Sequence, residues 1–360
     1  MADHPDHTAA GRSALYAIAA TPPALSQAEL RRLLADGWDL EGDLEPLVSE
    51  RDQNVRVRCA NGDRFVLKIA AASEPEHVTD LQVRALENIA REARVPAPRI
   101  VRTRDNNALV TVRSDQGAHA ARVVTWLEGT PLASAESTPA GAQSLGKTLA
   151  VLDRALAGVT VDADNQVLIW DMQRAGELRE VIDCITDQRQ RELVADAIDR
   201  FETELEPAFA TLRRQLIHSD VNPGNVLTDA ENGLVSGLLD FGDMLIAPLI
   251  VEVAIAASYL RQLDGDPLTL IAPFVAAYHA ESPLADAELA LLYDLVRLRL
   301  ATTTALLWWR LREKDPDDPY RRQTLAAESS AAEFAERLDG LGRAAFTAEL
   351  KRACDRQALL

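Results

Sequence analysis

The feature that most constrains the fold is a polar segment held between short apolar segments in the middle of the chain. Residues 218–225 read HSDVNPGN, and residues 239–242 read LDFG. The flanking residues 216–217 and 234–239 are largely apolar, which is typical of short buried strands. We therefore expect a turn that carries Asp220 and Asn225, followed by a strand that ends at Asp240.

The spacing of these polar residues indicates a particular chemistry. The pattern H-x-D-x-x-x-x-N followed by D-F-G is that of protein-kinase-like phosphoryl transfer, in which positioning and electrostatics dominate catalysis. It predicts that Asp220 is the base that orients the attacking hydroxyl, and that Asn225 and Asp240 hold Mg²⁺, which prefers oxygen ligands. Each residue alone is as typical of a turn or cap, so the prediction depends on their combination. His218 needs no chemical role, because packing the turn is sufficient.

A lysine far upstream is the expected partner of this turn. Lys68 lies in the segment RFVLKI, residues 64–69, which follows the turn-forming pair Asn61 and Gly62 and is predicted to be a strand. The segment is similar to the V-A-I-K strand, whose lysine contacts the α- and β-phosphates of a nucleotide. Taken alone, Lys68 could also be a surface lysine that packs its alkyl stem on the sheet.

The segment SERDQN, residues 49–54, lies between the two strands before Lys68, where a loop that covers phosphates is expected. It contains no glycine, so the pattern G-x-G-x-x-G is absent. The Ser49 hydroxyl and backbone N–H groups could contact phosphate instead. An ordinary polar hairpin turn is the alternative interpretation.

The spacing of apolar residues is typical of strands in the first part of the chain and of helices in the rest. This change predicts an α+β, bilobal, protein-kinase-like fold. We expect a flexible lead-in at 1–25, an N-lobe with an antiparallel sheet at 26–126 and a helical C-lobe at 127–360, since 360 residues exceed one ordinary core. A capping box at Ser26 and Glu29 begins the first helix, through Leu34. Further helices are predicted at 76–92, 138–157, 175–185, 188–205, 248–262, 268–280, 285–312 and twice after 325, with strands near 108–113 and 120–126 and a linker at 127–131.

Composition excludes several classes of partner. The formal net charge of -18 argues against nucleic acid and anionic membranes, because both bind basic surfaces. It suits a cationic small-molecule substrate, although solubility alone also explains it. Three dispersed cysteines argue against a disulfide framework, and the sequence shows neither a signal peptide nor a membrane-spanning run, so we expect a cytoplasmic protein. Its oligomeric state stays open.

Three departures argue against a protein kinase. The glycine-rich loop is absent, and Ser219 replaces the arginine that would pair with a phosphorylated activation loop. Residues 243–248 are predicted to run from D-F-G almost directly into an apolar helix, which leaves no room for an activation loop.

The chain instead resembles the aminoglycoside phosphotransferase and choline kinase superfamily, whose catalytic loop is similar to residues 218–227. Within it, the chain is most similar to hydroxylysine kinases. This resemblance covers most of the chain from about residue 26. The matching segments are 49–54, 65–70, 81–87, 239–244 and the region 301–320.

The resemblance implies a nucleotide between the lobes, with Thr125 and Leu127 in a hinge that binds the base through backbone groups. It also implies GTP as a possible donor in place of ATP. The superfamily usually pairs the strand lysine with a helix glutamate, but the aligned residue here is Gln82, with Glu87 further along the helix. We therefore leave the partner of Lys68 open.

The substrate pocket is expected among the C-terminal helices. Asp243 and Glu252 could attract a substrate ammonium, or could be a cap and an internal ion pair. Arg310 or Arg312 could bind a substrate carboxylate, or form a surface salt bridge. Trp308 is expected in the core rather than against a cation.

These observations predict a kinase that phosphorylates a small amino alcohol or amino acid, with 5-hydroxylysine as the best single acceptor. An aminoglycoside, choline or homoserine phosphotransferase is the first alternative. A pseudokinase that binds nucleotide without catalysis is the second, and the presence of Asp220, Asn225 and Asp240 argues against it.

Overall fold

The computed structural model describes residues 22–49, 51–92, 94–161, 165–312 and 329–357. Most of the predicted lead-in at 1–25 lies outside these residues. The described chain begins with helix α1, Gln27–Trp38. Its start is the predicted capping box, in which the Ser26 backbone N–H donates to Glu29 at 2.7 Å while the Ser26 hydroxyl accepts from the Glu29 N–H. The helix continues beyond the predicted end at Leu34 because Gly37 is accommodated in its last turn.

An antiparallel sheet of six strands follows α1. In spatial order the strands run β1, β2, β3, β6 and β4, with β5 paired to β6. Val57 and Leu67 point to one face of this sheet, where α1 covers them, because side chains alternate along a strand. Asn54, Lys68 and Arg122 lie opposite one another on β2, β3 and β6 and so share the other face. The strands are β1 Asp43–Leu47, β2 Gln53–Arg58, β3 Arg64–Ile69, β4 Ile100–Val101, β5 Val110–Ser114 and β6 Gly117–Thr125.

Helices form most of the chain after the sheet. Helix α2, Glu76–Ile89, adjoins the sheet, and α3, Pro139–Ala157, packs closely on α7 because Gly146 lets the two backbones approach. A large apolar core joins these helices. The remaining helices are α4 Gln188–Arg200, α5 Glu206–Phe209, α6 Leu249–Tyr259, α7 Ile271–Glu281, α8 Asp286–Arg312, α9 Ser330–Leu341 and α10 Arg343–Gln357. Among the described residues, none of these helices has the length and apolar character needed to span a bilayer.

Two small sheets in the helical region hold the polar turn. Strand β8, Arg214–Ile217, pairs with β11, Leu245–Pro248, and β9, Val226–Thr228, pairs with both β7, Thr130–Pro131, and β10, Val235–Leu238. The segment from His218 to Asn225 therefore connects β8 to β9, and Asp240 follows β10. This is the strand–turn–strand arrangement that the sequence predicts.

Four predicted elements differ from the structure. Residues Met172–Cys184 form a 3₁₀ helix, with non-helical backbone angles at Arg174, where an α-helix at 175–185 was predicted. The helix predicted at 188–205 is α-helical only to Arg200 and ends in a π-turn. Residues 245–248 form β11 instead of entering a helix directly, because their backbone groups pair with β8. The predicted linker contains β7.

Candidate active site

The turn between β8 and β9 has a defined backbone conformation. Ser219 adopts a left-handed φ of 68°, which is uncommon for a residue other than glycine. The Glu252 carboxylate, on α6, accepts a hydrogen bond from the Ser219 N–H at 2.8 Å and so compensates for this strain. Such strain often occurs at functional sites, where surrounding contacts fix it. The turn therefore presents the next residue, Asp220, in a fixed position.

His218 has a structural role in the turn. Its Nε2 donates to the Leu239 carbonyl at 2.9 Å, and its Nδ1 accepts from the Asp220 N–H at 3.2 Å. Burial lowers the pKa of His218 to about 4, so the ring is neutral near pH 7. The ring also packs edge-on against Phe241 at 4.8 Å between centroids. The imidazole thus connects the turn that carries Asp220 to the backbone of Leu239, the residue before Asp240.

Asp220 is held by two neighbouring amides. Asn225 Nδ2 donates to one carboxylate oxygen at 2.7 Å and Asn222 Nδ2 to the other at 3.0 Å. Burial raises the pKa of Asp220 well above its usual value, and the charge of Asp243 raises it further. Hydrogen bonds from Asn222 and the charge of Arg299 oppose that rise. A carboxylate with a raised pKa is a better proton acceptor than an ordinary aspartate.

We expect the raised pKa of Asp220 to set the acidic limit of activity. If Asp220 is the base that the sequence predicts, it must be ionised to accept a proton, so kcat/KM should fall, as pH decreases, with a midpoint above the ordinary aspartate pKa of about 4. Replacing Asp243 with asparagine removes a negative charge, so the midpoint should move to lower pH. The measurement is kcat/KM against pH for both proteins. A midpoint that is the same in the two proteins would contradict this assignment.

Asp240 and Lys68 meet across the cleft between the sheet and the helical region. Lys68 Nζ lies 3.2 Å from Asp240 Oδ1. The charge of Lys68 lowers the pKa of Asp240 to about 2, so this carboxylate is ionised at neutral pH. Asp240 also has a left-handed φ of 55°. Lys68, Asp220, Asn225 and Asp240 are therefore brought to one site, as the sequence predicts.

The donor set at this site suits a hard divalent cation. Asp240 offers an ionised, half-exposed carboxylate, and the Asn225 nitrogen is occupied by Asp220, which leaves its amide oxygen as a ligand. Within the described ranges, no group of three or more His, Cys, Asp or Glu side chains is placed to hold a metal by itself. Mg²⁺ is commonly held by one or two protein oxygens together with substrate phosphates. The residues present fit such a metal.

The structure places both candidate partners of Lys68 elsewhere. Gln82 Oε1 accepts a hydrogen bond from Arg122 on β6, and Glu87 forms an ion pair with Arg102. Lys68 instead pairs with Asp240. Gln82 therefore forms a buried pair with Arg122 and is not the partner of Lys68.

A cavity of about 480 Å³ lies between the sheet and the helices, a size typical of small-molecule sites. Asp220, Asn225 and Asp240 line it together with Ser49. The Ser49 hydroxyl accepts a hydrogen bond from the Asp52 N–H at 3.2 Å. The loop over the cavity is linked to the helical region because Arg51 pairs with Asp243 and lies 5.7 Å from the Trp170 ring centroid.

The predicted substrate residues do not all reach the cavity. Asp243 and Arg310 line it. Glu252 is not among the residues that line this cavity, because its side chain is fully buried and accepts a hydrogen bond from the Ser219 backbone. Trp308 packs against the core, as expected, and donates to Gln190 at 2.8 Å. Arg312 is directed to Cys184 Sγ at 3.2 Å.

Other residues in the site were not identified from sequence. Trp170, Tyr259 and Arg299 line the cavity on the side of the C-terminal helices. A sequence signal existed for Arg299, because it lies eleven residues before Arg310 and therefore on the same face of α8. The predicted hinge residues Thr125 and Leu127 stay predictions. The Thr125 hydroxyl accepts from the Arg99 N–H at 2.9 Å.

Comparison with known proteins agrees with this geometry. The sequence matches the family described as "Phosphotransferase enzyme family" over residues 43–292. The hydroxylysine kinase of Xenopus laevis is 26% identical over 309 residues, covering 79% of this chain and 82% of that protein. The hydroxylysine kinase of Mus musculus is 26% identical over 313 residues, covering 80% of this chain and 83% of that protein. The predicted resemblance is therefore confirmed.

Solved structures show the same fold. An amicoumacin kinase in complex with AMP-PNP, Ca²⁺ and Ami has a TM-score of 0.65 at 17% identity, covering 87% of this chain and 94% of that one. A microcompartment-associated aminopropanol kinase has a TM-score of 0.63 at 18% identity, covering 88% and 97% respectively. These likenesses confirm the predicted α+β, protein-kinase-like fold. Since the family match also spans more than half of the 360 residues, the chain belongs to the phosphotransferase enzyme family and is a small-molecule kinase that acts on an alcohol group.

Proposed function

We propose that this kinase transfers the γ-phosphate of GTP or ATP to the hydroxyl of a small amino alcohol or amino acid, with 5-hydroxylysine as the best single acceptor. The observation that carries the proposal is that Asp220, Asn225 and Asp240 line one cavity, while Lys68 pairs with Asp240. The names of the two curated relatives support the acceptor, because both are hydroxylysine kinases and each aligns over about four fifths of this chain.

In the proposed reaction, the acceptor hydroxyl oxygen forms a bond to the γ-phosphorus while the bond from that phosphorus to the β,γ-bridging oxygen breaks. Asp220 orients the hydroxyl and receives its proton, and the nucleoside diphosphate leaves. The amides of Asn222 and Asn225 hold both oxygens of Asp220, so the base is fixed before the acceptor arrives. This positioning is a large part of catalysis when the transition state is loose.

The nucleotide lies between the two regions of the fold in this proposal. Residues 26–126 form the nucleotide-binding lobe, in which Lys68 contacts the phosphates, Ser49 covers them, and backbone groups of Thr125 and Leu127 bind the base. Residues 127–360 supply the catalytic turn and the acceptor site. Asn225 and Asp240 hold Mg²⁺, which supplies neutralisation of phosphate charge when bound.

An acceptor panel tests the proposal. The protein is incubated with Mg²⁺ and either GTP or ATP, together with 5-hydroxylysine, choline, homoserine or an aminoglycoside, and phosphomonoester formation is followed by ³¹P NMR. We expect 5-hydroxylysine to give the highest kcat/KM. Turnover of another acceptor but not of 5-hydroxylysine would overturn the acceptor assignment and leave the kinase class intact. No transfer to any acceptor by a folded, nucleotide-binding protein would favour a pseudokinase.

A further inference from the structure

Asn222 belongs to the catalytic turn, but the reaction proposed above assigns it no contact with a substrate. It lies two residues after Asp220, is half-buried and lines the cavity together with Asp220 and Asn225. The amide nitrogen of Asn225 is directed to Asp220, where it donates to both the backbone carbonyl and a carboxylate oxygen. Asn222 is therefore the amide of this turn that can still meet a ligand through its nitrogen.

The hydrogen bonds of Asn222 fix the orientation of its amide. Its Oδ1 accepts from the Gly224 N–H at 2.7 Å, and a backbone N–H can only donate, so the oxygen faces Gly224. Its Nδ2 then faces Asp220 and donates one hydrogen to Oδ1 of that carboxylate at 3.0 Å. A side chain at residue 224 would crowd the amide, since a Cβ there would lie 3.1 Å from Asn222 Oδ1. The amide is thus held in one orientation.

One donor of this amide is left for a ligand. The Nδ2 of an asparagine carries two hydrogens. One of them binds Asp220, and the other has no hydrogen-bond partner in the part of the chain that the structure describes. Because both hydrogens belong to the same nitrogen, the second N–H group begins 3.0 Å from an oxygen of the proposed base and lies on a residue that lines the cavity.

The chemistry beside Asp220 determines what this second donor can bind. In the proposed reaction Asp220 holds the acceptor hydroxyl, and the γ-phosphorus lies about 3–3.5 Å from that hydroxyl oxygen in a reactive arrangement. The phosphoryl oxygens are therefore close to Asn222 Nδ2. They carry the charge of the loose transition state, so an N–H donor beside them stabilises it. Donation to the acceptor hydroxyl would instead engage a lone pair of the oxygen that forms the new bond.

Asn222 contacts a different part of the site from Lys68. Lys68 approaches from the sheet and pairs with Asp240, which follows β10, at 3.2 Å. Asn222 lies in the turn between β8 and β9 and contacts Asp220. A neutral amide can donate to phosphate at this position without the ion pair with Asp220 that a lysine or arginine would form. The transferred group would then meet cations beside Asp240 and a neutral donor beside Asp220.

We propose that Asn222 is a catalytic residue whose second amide hydrogen binds an oxygen of the γ-phosphoryl group as it is transferred. The proposal rests on the kinase function proposed above and adds a phosphate contact to the same site. No bond to Asn222 forms or breaks, because the amide donates a hydrogen bond and stays neutral throughout. Asn222 has two roles in this account, since its other hydrogen holds Asp220.

Nucleotide affinity tests this contact without depending on phosphate transfer. ADP lacks the γ-phosphoryl group that AMP-PNP carries, so calorimetry with both nucleotides and Mg²⁺ isolates its contribution, with the guanine nucleotides used if wild type binds those more tightly. Asn222→Ala should weaken AMP-PNP binding by about three- to tenfold and ADP binding by less than about twofold, because only the former loses a hydrogen bond. In the acceptor assay, kcat should fall by about 10- to 100-fold, since the contact is stronger in the transition state.

Asn222→Ser keeps the test valid if the alanine variant does not fold. Serine can accept from the Gly224 N–H, as it does in similar turns, so the turn retains this bond. Its hydroxyl has one hydrogen and cannot donate to both Asp220 and a phosphoryl oxygen. This variant should also weaken the binding of AMP-PNP more than that of ADP.

Asn232→Ala is the matched control. Asn232 accepts from the N–H two residues further on, that of Leu234, at 2.9 Å, as Asn222 does from Gly224. It is exposed and lies outside the cavity lining, so its replacement should leave kcat and both affinities as in wild type.

Two outcomes separate this proposal from the kinase function. Equal weakening of ADP and AMP-PNP binding in the Asn222 variants, or no weakening of either, would overturn the phosphoryl contact and leave the kinase function standing. If wild type transfers phosphate to no acceptor, the kinase function fails, while a loss that is confined to AMP-PNP in the Asn222 variants still supports the contact.

Discussion

Replacement of Asp220 with asparagine is expected to lower kcat for phosphate transfer by about 10²- to 10⁴-fold, the range typical of a removed general base. The asparagine cannot accept the hydroxyl proton. It also places an NH₂ group against one of the two amides that now donate to Asp220, from Asn222 and Asn225, so the turn loses one hydrogen bond. Initial rates at saturating nucleotide and acceptor measure the effect.

Nucleotide binding separates a catalytic loss from a folding defect. Calorimetry with a non-hydrolysable nucleotide should give a dissociation constant for Asp220→Asn within about threefold of the wild-type value, since Lys68 and Asp240 are unchanged. Asp264→Asn is a suitable control, because Asp264 is exposed and lies outside the cavity lining. Transfer by Asp220→Asn at the wild-type rate would exclude Asp220 as the base and would reopen the pseudokinase interpretation of this site.

The second large effect is expected for Asp240. Asp240→Asn removes the ionised carboxylate that pairs with Lys68 and that we propose as a Mg²⁺ ligand. We expect kcat/KM for the nucleotide to fall by about 10²- to 10³-fold, comparable to removing one preorganised charge-stabilising group. The Mg²⁺ concentration for half-maximal rate should rise in the same variant. Titration of the rate with Mg²⁺ at fixed nucleotide measures both quantities.

A carboxylate elsewhere on the same small sheet supplies the comparison for Asp240. Asp229 follows β9 and accepts hydrogen bonds from the Glu231 and Asn232 N–H groups within its own turn. Asp229→Asn should leave the Mg²⁺ dependence as it is in wild type. An unchanged Mg²⁺ requirement in Asp240→Asn would show that Asp240 is not a metal ligand.

The catalytic turn could be predicted because its determinants are local in sequence. Asp220 and Asn225 are five residues apart in one turn, and the strands around them are short apolar segments. The strand that carries Lys68 was equally clear, since β3 occupies the predicted residues Arg64–Ile69. The local alternation of apolar and polar residues, together with the turn residues between segments, was sufficient to predict where these elements lie.

Contacts between distant elements could not be predicted in the same way. Lys68 pairs with a residue 172 positions away, and Gln82 is held by Arg122 on a strand 40 positions away. Sequence periodicity indicates which side chains share one face of a helix or strand. It does not indicate which of several charged side chains forms an ion pair across a cleft. The partner of Lys68 therefore required the structure.

Two helices that are buried on most sides concealed the roles of their polar residues. Nearly every residue of α6 is buried, so a carboxylate within it, Glu252, has no exposed face from which to meet a substrate. Its actual role is to hold Ser219 in a left-handed conformation, which sequence spacing does not reveal. In α8, Arg297 and Arg299 are both buried, yet only Arg299 lines the cavity. Which face of such a helix meets the cavity depends on packing that hydrophobic periodicity cannot specify.

The most direct test of the site is a crystal structure with a non-hydrolysable nucleotide and Mn²⁺ in place of Mg²⁺, with the metal located by anomalous scattering. We expect a metal peak at about 2.0–2.3 Å from oxygens of Asn225 and Asp240 and of the phosphates, with Lys68 against the triphosphate and the γ-phosphorus facing Asp220. A triphosphate or metal bound away from these four side chains would contradict the account.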